Sequence, residues 1–305
     1  MRIVSLLPSA TEVIYLLGLG DLLTGVSHEC DYPPPALGKR KIVRAAIQCH
    51  GLSSHEIDGI VRESLRRGEA IYQIDVEQLK AADPDLILTQ ALCEVCAAPY
   101  QYVQEAVTQL RRKPDILSLN PKGLEDVLKD VERVGEATGR VREAEAAVAL
   151  LRGRIQRVAE RAATVRRRPR VLCLEWLDPL MASGHWVPEM VALAGGQEVL
   201  GNLGAPAARI EWDRVSSFAP EILFLMPCGF TVDQVLHEVP LLTKLPGWKD
   251  LPAVQRGKVY AVHGHAYYSR SGPRLVDGLE ILAHLMHPAL FPGPIPEGAA
   301  EPVDR

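Results

Sequence analysis

The segment Cys93-Glu94-Val95-Cys96 holds the only Cys-x-x-Cys pair of the 305-residue chain. It follows an apolar run and precedes a predicted helix, and the positive N-terminus of a helix lowers the pKa of a nearby thiol. This placement favours a redox pair. The carboxylate of Glu94 opposes it, because a neighbouring negative charge disfavours the thiolate. The spacing alone therefore leaves redox chemistry open.

Metal binding is the second chemistry that these residue types allow. His28 and Cys30 also follow a predicted strand, so we expect them at the same end of one sheet as Cys93 and Cys96. Zinc accepts such mixed sulfur and nitrogen ligands. These four residues are the predicted metal set, and one of them could instead be an axial ligand to a metal that a bound macrocycle carries.

A second group of polar and aromatic residues follows strands in the other half of the chain. Only 5% of residues are aromatic, so their concentration here is informative. Together with residues of the first half they predict a cleft that binds a flat or bulky organic ligand. The candidate ligand-binding residues are Ser9, His28, Tyr32, Cys93, Glu94, Cys96, Trp176, His185, Trp186, Trp212, Cys228, His263, His265, Tyr267 and Arg274.

The elements that must position these residues alternate between strands and helices. The run RIVSLL predicts a strand that Pro8 ends, and Ser9 and Glu12 have the capping-box pattern of a following helix. The same strand–turn–helix unit recurs, which predicts an α/β fold with mostly parallel sheets. We expect two Rossmann-like lobes, residues 1–138 and 169–287, joined by a single long backbone helix over 139–168. Residues 288–305 form a proline-rich tail that we expect to lack regular structure.

Composition excludes several classes of function. The net charge of −4 gives no electrostatic basis for nucleic-acid binding, and no apolar stretch reaches the length that membrane insertion requires. The motifs of nucleotide-binding, serine-hydrolase and zinc-protease sites are absent, so we predict no enzyme activity. The N-terminus shows no signal-peptide pattern and six cysteines are scattered, which predicts a cytoplasmic protein as written. If a leader is missing, the location would be periplasmic or at the cell surface.

Several segments resemble a known family when they are taken in order. The opening RIVSLLPSATEVIYLLGLGDLLTGVSHECDYP is similar to that of the ABC-importer substrate-binding proteins for vitamin B12 and iron chelates. DVEQLKAADPDLILT, MASGHWVPEMVALAGGQEVLGN, EWDRVSSFAPEILFL and SRSGPRLVDGLEIL resemble later segments of that family. The resemblance runs from about residue 2 to residue 286, and the cobalamin-binding members look most similar.

The resemblance implies a two-lobed receptor that binds a small-molecule ligand between its lobes. The ligand would be cobalamin, a related corrinoid or haem-like tetrapyrrole, or an iron chelate. The partner would be an ABC permease, onto which an acidic group of each lobe docks. Tyr100 and Gln101 occupy the corresponding place in the first lobe, with Glu94 and Glu105 on either side. The alternative hypothesis is a cytosolic metal- or thiol-dependent protein on the same fold.

Overall fold

The computed structural model of the chain describes residues 1–47, 49, 51–91 and 100–303. These residues form two compact units. Unit 1 contains Met1–Leu52, Gly59–Pro121 and Glu125–Leu150, and unit 2 contains Ser53–Asp58, Lys122–Leu124 and Leu151–Arg305. The α/β class that the sequence predicts is confirmed in both units.

Unit 1 is built on a six-stranded sheet. Its strands are β1 (Ile3–Ser5), β2 (Leu23–Ser27), β3 (Lys41–Ala45), β4 (Tyr72–Ile74), β5 (Leu86–Thr89) and β6 (Asp115–Ser118), in the order β4-β3-β2-β1-β5-β6. All neighbours are parallel except β3 and β4. The central strands are apolar and buried, as expected of parallel strands covered on both faces.

In the described part of the chain, six helices begin before the second sheet. They are α1 (Pro8–Leu16), α2 (Ser54–Arg66), α3 (Val76–Ala82), α4 (Tyr100–Thr108), α5 (Leu124–Thr138) and α6 (Val141–Ala162). The predicted capping box of α1 is wrong. The helix begins at Pro8 with Leu7 as its N-cap, and no side chain caps it. Proline is well suited to the first helical position because its missing N–H would have no partner there.

The long connecting helix is shorter than the sequence predicts. A single helix was expected over 139–168, but α6 covers 22 residues, about 33 Å, and begins after Gly139, whose φ of 71° ends the preceding α5. Residues beyond Ala162 leave the helix before Pro169, which cannot continue it.

Unit 2 is built on a second six-stranded sheet. Its strands are β7 (Val171–Leu177), β8 (Leu180–Ala182), β11 (Ala208–Arg209), β12 (Ile222–Leu225), β13 (Val259–Val262) and β14 (Ala300–Pro302), in the order β11-β8-β7-β12-β13-β14. The three central strands are parallel and the edges are antiparallel. A separate pair joins β9 (Gly184–His185) to β10 (Asn202–Leu203).

The helices of unit 2 cover this sheet. They are α7 (Val187–Leu193), α8 (Trp212–Phe218), α9 (Val232–Thr243), α10 (Pro252–Gln255), α11 (Gly264–Tyr267) and α12 (Leu275–Met286). The core below α9 and α10 contains Leu172, Leu174, Leu223, Leu225 and Trp248. Among the residues that the structure describes, no helix combines the length and the apolar character needed to cross a bilayer.

The proline-rich tail differs from its prediction. Residues 300–302 form β14, which pairs antiparallel with β13, and Ala299 and Val303 on either side are buried. The edge of a sheet offers unpaired backbone groups to any extended segment, and this segment satisfies them. Prolines in the tail did not prevent pairing, because an edge strand tolerates a missing N–H donor.

Candidate functional site

The candidate site of unit 2 lies where β7, β12 and β13 end. The carboxyl ends of parallel strands meet at one edge of a sheet, which is where open α/β sheets bind ligands. Two hydrogen bonds connect the loops that follow β12 and β13. Gly229 N–H donates to Ser269 Oγ (3.3 Å), and His265 N–H donates to the carbonyl of Phe230 (3.1 Å). A side chain at Gly264 would collide with the carbonyl of Pro227, so glycine is required there.

Five side chains from the loop after β13 form the edge cluster: His263, His265, Tyr267, Arg270 and Arg274. The ring of His263 lies 6.2 Å from that of His265 and 6.1 Å from that of Tyr267. The guanidinium of Arg274 lies 5.9 Å from the centre of the Tyr267 ring. Arg270 is buried and contacts His265 Nε2 through its Nη2. The cluster combines flat rings with cationic groups.

The hydrogen bond that caps α11 determines how His263 can act. Its Nδ1 accepts a hydrogen bond from the N–H of Ala266 (3.2 Å). The neutral imidazole must then carry its proton on Nε2. In this form the Nε2–H of His263 is a donor, and Nε2 could bind a metal only after losing that proton.

Trp176, at the end of β7, was predicted to contact ligand. Its indole N–H donates to the carbonyl of Ser54 (3.2 Å), and its ring meets Phe230 edge to face at 5.6 Å. It is half-buried, so part of its surface remains accessible at the strand edge.

His185 and Trp186 form a second aromatic pair in unit 2. Trp186 is buried and donates to the carbonyl of Tyr268 (2.8 Å), which makes it a packing residue that fixes the loop after β13. His185 stacks on it at 5.3 Å. Burial lowers the pKa of His185, so its imidazole is neutral at neutral pH. Its backbone has a φ of 51°, a strained conformation for a residue with a side chain.

Trp212 does not join this group. Its N–H donates to the carbonyl of Pro246 (2.7 Å) and its ring stacks on Trp248 at 6.2 Å. Both partners lie between α9 and α10, ahead of β13, and not in a loop that follows a parallel strand. Cys228, by contrast, is exposed in the loop after β12 and forms no disulfide.

Two buried carboxyl groups lie beneath the site. Burial raises the pKa of Glu175 to about 8 and that of Glu198 to about 7, so a large share of both groups is protonated at neutral pH. Glu175 Oε1 accepts the N–H of Gly184 (2.9 Å), next to His185, and its backbone carbonyl accepts the N–H of Cys228 (3.2 Å). Glu175 thus links the loops that carry His185 and Cys228.

The candidate residues of unit 1 lie in different environments. Ser9 is buried in the first turn of α1, and Tyr32 is exposed beside Pro33. The two ring nitrogens of His28 face Ser27 Oγ (3.4 Å) and Glu29 Oε1 (3.3 Å). Cys30 is fully buried, and its sulfur accepts a hydrogen bond from Thr11 (3.0 Å).

These placements bear on the predicted metal set. Cys93, Glu94 and Cys96 lie outside the described residues. Cys30 packs in the core, where Thr11 donates to its sulfur. Within the described part of the chain, no group of three or more His, Cys, Asp or Glu side chains is arranged to hold a metal ion.

Sequence reasoning missed several residues that build the site. Phe230 was not predicted as a site residue, because the sequence does not show that its ring contacts the ring of Trp176. Arg274 was predicted as a ligand contact and Arg270 was not, although both belong to the segment SRSGPR. Only the folded structure shows that Arg270 contacts His265. The signal available for Glu175 was a charged residue inside an otherwise apolar strand, where the residue is half-buried.

Known proteins share this architecture and much of its sequence pattern. A profile of the periplasmic binding protein family matches residues 3–266. An uncharacterized ABC transporter substrate-binding lipoprotein, YvrC, of Bacillus subtilis is 26% identical over 95% of this chain and 81% of its own length. The vitamin B12-binding protein of Vibrio cholerae is 24% identical, over 92% of this chain and 86% of its own length.

Solved structures agree on the fold. A periplasmic haem-binding protein from Pseudomonas aeruginosa superposes with a TM-score of 0.74 at 19% identity, covering 100% of this chain and 98% of that one. The predicted resemblance and fold class are confirmed, and the family consists of binding proteins, as expected of a chain predicted to be no enzyme. The names of the matching family and of the Bacillus subtilis lipoprotein agree with the periplasmic or cell-surface alternative and give no support to a cytoplasmic location. The chain belongs to the periplasmic binding protein family.

Proposed function

We propose that this chain is the ligand-binding component of an ABC importer and that its cargo is a corrinoid. Family membership and the relatives named above support the importer role, and the vitamin B12-binding protein of Vibrio cholerae supports the cargo class. The single observation that carries the proposal is the edge cluster of unit 2, which places flat rings and cationic donors side by side.

A corrinoid suits this chemistry. It presents a broad flat macrocycle with amide side chains around its rim and a phosphodiester in its tail. Tyr267 and the half-buried Trp176 offer ring faces. His263 Nε2–H and the guanidinium groups of Arg270 and Arg274 offer donors, which amide carbonyl and phosphate oxygens accept. Ring contacts would supply most of the binding free energy and the donors the orientation.

The charge of Arg270 and Arg274 favours haem as a second candidate cargo. The two propionates of haem are carboxylates, and arginine binds carboxylates through paired hydrogen bonds. The relative from Pseudomonas aeruginosa, named for haem binding, supports this option. Cobalamin and haem differ in colour and in rim charge, so one titration distinguishes them.

The remaining assignments extend the proposal. We include Ser9, His28 and Tyr32 of unit 1 among the ligand contacts, together with Cys93, Glu94 and Cys96. The partner is an ABC permease, and the location is outside the cytoplasmic membrane, as the relatives' names support.

The proposal is tested by titrating the full chain with cyanocobalamin and, separately, with haemin. All four tryptophans lie in unit 2, so ligand quenching of their fluorescence reports binding there. We expect saturable binding of one of the two, with a shifted visible spectrum. If the folded protein binds neither, the proposed cargo class is wrong.

His263→Asn tests the role of the edge cluster directly. Asparagine keeps an acceptor that can cap α11 but removes the imidazole ring and its Nε2–H donor. We expect binding to weaken about tenfold, the loss typical of a well-packed contact residue. His237→Asn is the matched control, because His237 is exposed on α9. Equal affinity of the two variants would remove His263 from the site.

A further inference from the structure

A cavity of about 300 Å³ lies in unit 2 between α6, α12 and the proline-rich segment that follows α12. Its lining comes from Arg154, Arg157 and Arg161 of α6 and from Asp277, Glu280 and His284 of α12. The rest of the lining consists of Val158, Ile281 and residues 291–296. The cavity includes none of the edge cluster and has no part in the proposed function.

Arg154 forms the fixed base of the cavity. Its Nη2 donates to Asp277 Oδ1 (2.5 Å) and Glu280 Oε2 (2.6 Å), and its Nε donates to Glu280 Oε1 (3.0 Å). These hydrogen bonds raise the pKa of Arg154 above its ordinary value. Asp277 and Glu280 together carry one more negative charge than Arg154 neutralises, and that charge offsets part of the positive charge of the other arginines.

Arg157 and Arg161 are the cations that remain. They follow Arg154 by three and seven residues, which places all three on one face of α6. Both side chains are exposed, and neither has an ion pair with any residue in the described part of the chain. The three arginines and the two carboxylates give the lining one net positive charge, and that excess lies at the guanidinium groups of Arg157 and Arg161.

The rest of the lining is apolar. Phe291 is 9% exposed, Val158 and Ile281 are buried, and the rings of Pro292, Pro294 and Pro296 complete the wall. His284 fixes this segment, because its Nδ1 donates to the carbonyl of Phe291 (2.9 Å). The neutral ring then has an acceptor at Nε2. The cavity therefore combines guanidinium groups with an apolar surface.

We propose that this cavity binds a small phosphate monoester whose organic part is apolar. A phosphate dianion accepts paired hydrogen bonds from arginine and can bridge two neighbouring guanidinium groups. In the monoanion, the protonated oxygen would donate to His284 Nε2. The ring or chain of the ester would contact Phe291 and the prolines. The volume is at the small end of ligand pockets, which limits the ligand to a small metabolite.

The test uses phenyl phosphate as the probe and isothermal titration of the full chain at fixed ionic strength. We expect a dissociation constant of about 1 mM or tighter, which is reasonable for a probe of this size. The double variant Arg157→Gln/Arg161→Gln should weaken binding at least tenfold. Arg142→Gln is the matched control, because Arg142 is an exposed arginine of the same helix that lies outside the cavity.

Other outcomes overturn the proposal. If phenyl phosphate does not bind the folded wild-type chain, or binds the double variant equally well, the cavity is no phosphate site. Inorganic phosphate and benzoate separate the two halves of the ligand. Equal affinity for inorganic phosphate would refute the apolar contact, and equal affinity for benzoate would refute the preference for phosphate. Because the edge cluster is unchanged, cyanocobalamin or haemin titration of the double variant reports the proposed function separately.

Discussion

At the scale of single residues, the most informative groups are those whose surroundings change their protonation. The buried carboxyl groups of Glu175 and Glu198 remain protonated at a pH where an exposed glutamate is ionised. Glu175 lies within β7 and accepts a hydrogen bond from the N–H of Gly184. Glu198 lies beside β7 and accepts a hydrogen bond from the N–H of Cys173 (3.0 Å). Their effect is to make the stability of unit 2 depend on pH.

Glu198→Gln should reveal this dependence. The pKa of Glu198 rises from 4.5 to about 7 in the folded protein. As pH increases, the Glu198 carboxyl group therefore loses its proton at a lower pH in the unfolded chain than in the folded chain. The wild-type therefore loses stability between about pH 4.5 and pH 7, by on the order of 3 kcal/mol for this group. Glutamine does not titrate. We expect the difference in melting temperature, variant minus wild-type, to increase from pH 5 to pH 8.5.

Glu297→Gln provides the control for that measurement, because Glu297 is exposed in the tail. Its melting temperature should follow that of the wild-type chain across the same pH range. A constant difference between Glu198→Gln and wild-type would show that Glu198 ionises alike in the folded and unfolded chain.

At the scale of elements, loops and edges decide the site more than the central strands do. β14 completes the sheet of unit 2 and also reaches the edge cluster, because the carbonyl of Ala299 accepts the N–H of His263 (2.9 Å). On the other side of β14, the N–H of Val303 donates to the carbonyl of Val259 (2.9 Å). The tail therefore supports the position of a candidate ligand contact.

Deleting residues 298–305 should destabilise unit 2. The deletion removes the buried side chains of Ala299 and Val303 and the hydrogen bonds of β14 to β13. We expect a loss of about 2–4 kcal/mol in the free energy of unfolding, measured by urea titration of tryptophan fluorescence. A deletion of residues 304–305 alone is the control. If both truncated chains unfold at the wild-type urea concentration, β14 contributes nothing to stability.

At the scale of the whole molecule, the two units carry different spectroscopic and electrostatic features. All four tryptophans and three strongly perturbed glutamates belong to unit 2. The third of these, Glu221, is 3% exposed and accepts hydrogen bonds from Arg256 (2.6 Å), Arg167 (2.7 Å) and the N–H of Arg170 (3.2 Å). It joins the segment after α6 to the beginning of β12 and β13.

Glu221→Gln should weaken unit 2 selectively. Burial would raise the pKa of Glu221, but the hydrogen bonds from Arg256, Arg170 and Arg167 lower it to about 2. The resulting stability is present above about pH 4.5 and is lost as pH falls toward 2. At pH 7 we expect a loss of about 3 kcal/mol. The deficit should appear in tryptophan fluorescence and become smaller below about pH 4.

Far-UV circular dichroism reports both units and completes that experiment. The variant's dichroism should retain a component that unfolds at the wild-type urea concentration, which belongs to unit 1. A variant whose deficit is the same at pH 3 and pH 7 would show that the charge of Glu221 is not the source of its effect.

The sequence by itself determined the fold class and the edge of the sheet at which the candidate site residues lie. Alternating apolar runs and glycine- or proline-marked turns specify parallel strands, and chain order then fixes which residues come after each strand. That is why His263, His265 and Tyr267 could be named in advance and are found together. The same logic identified Cys228 as a loop residue after a strand.

Only the tertiary structure decided which side chains of these segments face outward and which groups they contact. Trp212 and Cys30 are of residue types that occur in binding sites. In the fold, however, Trp212 stacks on Trp248, and Cys30 is buried against Thr11. Phe230 gained its role from a contact with Trp176 of the distant strand β7, and Arg270 gained its role from a local turn that brings it against His265. The protonation of Glu175 and Glu198 likewise results from burial, because a pKa reflects the folded environment and not the residue type.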